Sequence, residues 1–331
     1  MTTIDVSQVG SLPRFGTAWV TWRQHRLALF GVVALLAALA ALLLIGGLDA
    51  RSTYDQLGLD QCTFTPGTHC DQLATQFINQ YRTMRLLLVF LLLLPGAFGA
   101  FVGGPLVARE LESGTYRFAW TQGAGRTRWI LTKLLLIAAG LVVASAAFSP
   151  VYSWWNAPFQ RVQPTGFNDY LGFEFNGIVF PVQTLLAFAA GVLAGLVFRR
   201  SVVAVGSVFL SAFALLMATT FLLRKHYMTP LTTSGKLDPH DWALGNSYQD
   251  PAGHLLSHVQ EHTLYQQFQV ATSQQPSATF RAWLEAQHYT LLTNYHPASR
   301  FWSFQLIETG WMSLLTLLLA ATTVWLIRRR T

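Results

Sequence analysis

Charge is scarce in this chain. Only 11% of its 331 residues are Asp, Glu, Lys or Arg, against about a quarter in soluble domains. Long stretches lack charge altogether: Leu86 to Val107 holds only apolar or small residues, and Trp129 to Phe148 is as clean after Lys133. Each run matches the roughly twenty residues that cross a bilayer core as a helix. No phosphate-binding loop of the G-x-x-x-x-G-K-[ST] kind occurs, so this chain is not expected to hydrolyse nucleotide by itself. The apolar runs also lack ionisable residues, with Glu308 the main exception. Ion-coupled transporters usually need such groups inside the membrane, so a self-contained secondary transporter is disfavoured. There is no internal repeat and no low-complexity tract.

What is present is 52% hydrophobic residues and a formal net charge of +7. That excess does not point to nucleic acid, because the basic residues flank apolar runs, as topology signals do. Six spans are expected as helices, at 27–48, 86–107, 129–148, 178–198, 202–223 and 306–327, since backbone groups in lipid must pair within the chain. The first run is too long for a signal-peptide core and lacks a small-residue cleavage site, so it reads as retained. With both termini in the cytoplasm, thirteen basic residues fall inside and nine outside, although the outer segments are far longer. The fold class is therefore an all-α polytopic membrane protein. It is expected as a single transmembrane domain over 1–331, with an N-terminal cytoplasmic amphipathic segment (1–26), a cytoplasmic element at 108–128 and a large extracellular segment at 224–305. That segment holds helix-like runs at His254 to Val270 and Ala278 to Leu292.

Cys62 and Cys70 are the only cysteines and flank Pro66-Gly67, a turn-forming pair. Both lie in an outer loop (49–85), where a disulfide is permitted. Phe15, Trp19, Trp22 and His25 recur at helical spacing with arginines between them, which suits an amphipathic interfacial segment or simply the start of the first span. A second outer loop at 148–177 carries Trp154 and Trp155 as candidate interface anchors. Gly99/Gly103 and Gly191/Gly195 are small-xxx-small pairs that allow close helix approach, either within the chain or between copies.

Between the second and third spans lies a charged island, RELESGTYRFAWTQGAGRTRWILTK, residues 109–133. Glu110 and Glu112 are expected near a helix start, where acidic groups favour the macrodipole, and Gly114-Thr115 can end or restart a helix. Arg109-Glu110-Leu111-Glu112-Ser113-Gly114-Thr115, followed by Arg126-Thr127-Arg128-Trp129 and Lys133, resembles the cytoplasmic element of ABC-transporter permeases of the type-2 exporter family. The fuller wording, with Pro297 to Gln305 leading back to the membrane, is similar to permeases common in actinobacteria. The resemblance implies a coupling helix seated in a cytoplasmic ABC ATPase, with Arg109, Glu110, Glu112, Gly114, Thr115, Arg117, Arg126 and Arg128 as the coupling residues. It further implies a permease homodimer or heterodimer in the lipid of a bacterial plasma membrane, with ATP and Mg on the partner and no cofactor here. The cargo would be a hydrophobic or amphipathic drug, antibiotic or lipid, moved outward by alternating access as in multidrug efflux. The roughly eighty residues between the fifth and sixth spans depart from the short re-entrant helices of the simplest members.

Two further sites stand apart from the island. Glu308 could line a path at the outer gate or snorkel to the interface. His254, His258 and His262 recur every four residues, and His258 to His262 reads H-x-x-E-H, a zinc-hydrolase pattern. A membrane-anchored metalloenzyme is therefore the alternative, alongside histidines that merely face solvent.

Overall fold

A computed structural model describes residues 16–62, 68–114, 126–167, 169–271 and 279–329. Six helices are long and apolar enough to cross a membrane: Trp19–Gln56, Arg82–Ser113, Thr127–Val162, Val179–Phe198, Ser201–His226 and Ala298–Arg329. They are called the first to sixth spans below. The chain divides into two compact units. One comprises Met1–Gln163, Tyr170–Leu222 and Gln305–Thr331, and the other Pro164–Asp169 and Leu223–Phe304.

Within the first unit the fourth span is the core element. Of its apolar window 72% is buried, against 22% for the first and fifth spans and 17% for the sixth. Its small residues make this possible. A Cβ on Gly99 would lie 2.3 Å from the Ala187 carbonyl oxygen, and one on Gly195 would lie 2.3 Å from that of Gly104. The glycine pairs of the second and fourth spans thus pack against each other inside one chain, which settles the choice left open between internal packing and a contact between copies. The second span is not a regular helix there. It tightens to 3₁₀ over Val89–Leu93 and widens to π over Gly99–Gly103, around the Pro95-Gly96 and Gly104-Pro105 steps that disturb helical pairing.

Several helices run longer than apolar length alone suggests. The first is continuous over Gly16–Gln56, so Trp19, Trp22 and His25 belong to the same helix as the first span; Phe15 lies outside the described residues. The third covers Arg126–Val162 despite Pro150 and Pro158, so much of the expected loop at 148–177 is helical. Ser145, Ser149 and Ser153 hydroxyls donate back to carbonyls one turn earlier, which keeps these polar groups paired. Trp155 is no interface anchor. It lies buried in an unbroken chain of ring contacts through Phe77, Tyr81, Phe159, Tyr152, Phe175, Phe180 and Phe148, with centroids 4.6 to 6.0 Å apart. Trp154 instead covers Gly47 and carries the Arg51 guanidinium 3.7 Å above its ring. Nearby, a disulfide joins Cys62 to Cys70, which lies in the first turn of a helix over His69–Gln80 whose N-cap is Thr68.

The second unit adds a small sheet to an otherwise helical fold. It contains a three-stranded antiparallel sheet, order β1-β3-β2, built from Leu231–Thr233 (β1), Trp242–Gln249 (β2) and Thr290–His296 (β3). β3 occupies the end of the second helix-like run, because Thr, Tyr and β-branched neighbours suit a pleated strand better than a helix. Helices over His258–Ala271 and Phe280–Ala286 complete the unit. Phe167, Trp242, His296 and Phe304 form its buried ring cluster.

Candidate functional site

The last helical stretch of the second span, Gly104–Ser113, ends where Gly114 adopts a left-handed backbone, φ 72°. Glycine takes that conformation at no steric cost. Glu110 and Glu112 are two residues apart, so successive 100° steps set their side chains about 200° around the helix from each other. They therefore reach different neighbours.

Glu110 pairs with Lys133 of the third span, whose side chain is 1% exposed. The Lys133 ammonium also lies 4.5 Å from the Trp129 ring centre, one turn earlier on its own helix. A buried ammonium needs such partners, since desolvation of an unpaired charge costs several kcal/mol. The second oxygen of Glu110, Oε2, is buried without a hydrogen-bond partner, as is His25 Nε2 of the first span.

Glu112 is exposed and turns the other way. Its Oε1 accepts the Ser201 backbone N–H at 2.6 Å, and its Oε2 accepts the Ser201 hydroxyl at 2.9 Å. Ser201 opens the fifth span, directly after the two-residue turn Arg199-Arg200. There Arg199 sits in the left-handed region at φ 54° and closes the fourth span. On the sixth span, Arg328 Nε donates to Thr127 Oγ1 at 3.1 Å. One end of the unit thus ties together the second, third, fifth and sixth spans. Arg109 and Arg128 are exposed at this end. Thr115, Arg117 and the Arg126 side chain lie outside the described residues.

Sequence reasoning named Glu110 and Glu112 as partner contacts but missed that they are already engaged within the chain. The i, i+2 spacing was the available signal. Lys133 was visible in the motif, whereas Ser201, eighty-nine residues from Glu112, carried no signal at all.

At the opposite ends of these spans, Gln305 is fully buried. Its Oε1 accepts the backbone N–H groups of Ile178 and Val179 at 3.0 and 3.2 Å, and its Nε2 donates to the Phe173 carbonyl at 2.6 Å. Gln305 thereby supplies the cap that the fourth span lacks at its own N-terminus. Glu308, one turn along, is 0% exposed within the fold, which rules out snorkelling.

A cavity of about 240 Å³ lies among the second, fourth, fifth and sixth spans. Its wall is apolar, including Leu92, Pro95, Phe209 and Leu215, with Gln183 and Ser211 the polar members.

The histidine reading fails on geometry. The helix begins at His258, so His254 stands in the preceding loop, where its backbone N–H and ring engage Asp250. His258 projects fully into solvent. Among the described residues no group of His, Cys, Asp and Glu could hold a metal ion. His296 is of another kind. Arg300 Nη1 donates to its Nδ1 at 3.1 Å, so its Nε2 carries the proton and donates to the Lys225 carbonyl at 3.2 Å. Burial holds its pKa below the usual histidine value.

No curated protein and no solved structure matches the chain. A family model described as ABC-2 membrane transporter related matches residues 33–224, which take in most of the first and fifth spans, all of the second, third and fourth, and the Lys133 and Ser201 contacts of Glu110 and Glu112. With six membrane-crossing helices and more than half its length in that match, the chain belongs to the ABC-2 membrane transporter related family and is a multi-pass membrane protein of the ABC transporter permease type.

Proposed function

We propose that the chain is the permease subunit of an ATP-driven exporter, moved by a separate ATPase that bears on residues 109–133 from the cytoplasm. The observation that carries this reading is the double anchoring of that element's first part, residues 109–113 at the end of the second span. Glu110 ties it to the third span and Glu112 to the fifth, so a force on one short segment reaches three spans at once. ATP and Mg belong to the partner chain. The scarcity of ionisable groups in the spans agrees with an external source of work.

The cargo is a hydrophobic or amphipathic compound, a drug, antibiotic or lipid. The largely apolar cavity beside the fourth span suits such a molecule, and binding sites of this sort combine apolar walls with a few polar groups. The low burial of the first, fifth and sixth spans is consistent with a second permease copy and lipid around the unit. Residues 224–305 stand outside the cell, with Glu308 at the outer gate.

Arg109 and Arg128 are exposed coupling residues whose charge can be reversed without breaking the Glu110–Lys133 or Glu112–Ser201 contacts. Charge reversal of both, R109E/R128E, should leave the permease folded and abolish co-purification of the ATPase and ATP-dependent efflux. Retention of the ATPase and of efflux in that variant would sink the proposal.

A further inference from the structure

The fifth span starts without a cap of its own. Arg200, the residue before it, is extended and sends no side-chain hydrogen bond into the helix. Glu112 replaces that cap from another span, with both carboxylate oxygens held by Ser201. Charge-assisted hydrogen bonds through both oxygens fix direction as well as distance. A carboxylate at a helix N-terminus also meets the positive end of the helix dipole. Arg109 and Arg200 lie within electrostatic reach of it.

The two acidic contacts differ in kind. Glu110–Lys133 involves a buried ammonium whose separation would be costly, so it suits a rigid joint. Glu112–Ser201 is exposed, and exposed ionic contacts exchange with water at small cost. Further along, Val208, Phe209, Ser211, Ala212, Leu215 and Leu216 of the same fifth span line the apolar cavity. A shift of the second span's end would thus act on a helix that forms the cavity wall.

We infer that Glu112 is a positioning residue that transmits movement of the 109–133 element to the fifth span, rather than a contact for the ATPase. The inference rests on the exporter reading given above. Its test uses the full permease with its ATPase in lipid, and reads hydrogen exchange at residues 201–204 with and without ATP. In the wild type, ATP should change exchange there. In E112A the ATPase should still co-purify and the melting temperature should hold, while the ATP-dependent change shrinks at least fivefold, the lower end of typical coupling between sites. The double variant E112A/S201A should be no worse than E112A, because both remove one contact.

A full ATP response in E112A would overturn the inference, and so would loss of the ATPase from E112A, which would make Glu112 a direct contact. Failure of any ATPase to bind the wild type would instead strike the exporter reading. Even then the cap itself is measurable in the permease alone. Exchange in the first turn of the fifth span should rise about fivefold in E112A, the size of a lost helix cap, and unchanged exchange would overturn the inference.

Discussion

Gly191 and Gly99 meet backbone to backbone: a Cβ on Gly191 would lie 2.1 Å from the Gly99 carbonyl oxygen. No side chain can be added there without parting the second and fourth spans. Gly191→Ala should cost about 1 to 3 kcal/mol or more, the range for overpacking. Gly206→Ala, where nothing lies within 4 Å of the new methyl, should be neutral. Thermal unfolding of the two variants in the same detergent checks this, and equal melting temperatures would refute the packing account.

Lys133→Met alone should destabilise the protein by about 1 to 3 kcal/mol, because it leaves the half-buried Glu110 carboxylate without its cation. Adding Glu110→Leu should restore most of the loss, since an apolar pair of similar volume needs no desolvation. A double-variant cycle on unfolding midpoints measures the coupling. If the double variant were as unstable as the sum of the singles, the ion pair would not be the cause.

Gln305→Leu removes the acceptor for two backbone N–H groups and the donor for the Phe173 carbonyl. Each buried polar group left unpaired costs about 1 to 3 kcal/mol, so loss of folded protein should be substantial. Hydrogen exchange at Ile178 and Val179 should speed up first. Unaltered exchange there would show that another group caps the fourth span.

The second unit should weaken in mild acid. The pKa of His296 is lowered in the fold, so below the ordinary histidine value near 6.5 the unfolded chain takes up a proton that the folded unit does not. Stability is therefore full above that pH and falls as pH drops through it toward the lowered folded value. Asp238 and Asp250, held low by N–H groups of His240 and His254, contribute only in stronger acid. Exchange of β2 and β3 amides at pH 7 and pH 5 reads the effect. His296→Phe should flatten it, and an unchanged slope would assign the pH dependence elsewhere.

Reduction of Cys62–Cys70 should cost about 2 to 3 kcal/mol of local order for so short a loop. It also reports topology. After reduction, an impermeant maleimide added to whole cells should label both thiols, and labelling only after lysis would reverse the orientation.

Much of the membrane unit is legible in the sequence because lipid imposes a simple rule. A run of twenty apolar residues must be a helix, so Leu86 to Val107 and its five counterparts announce themselves. The rule has no say about where a helix stops once outside lipid, and so the extensions to Gln56 and Val162 were not foreseen. The 224–305 segment obeys no such rule; there β3 overlaps the end of an expected helix, and β1 and β2 lie where no element was expected.

Composition and local pattern determined that this chain has six membrane-crossing helices and carries a charged element between its second and third spans, the element whose residues resemble those of transport permeases. Only tertiary structure decided what the charges do. Glu110 and Glu112 are alike in sequence, but a 200° turn of helix sends one to a buried lysine and the other to the start of the fifth span. Contacts between residues far apart in the chain, such as Glu112 with Ser201 and Gly99 with Gly191, depend on how helices pack, and no local pattern encodes that distance.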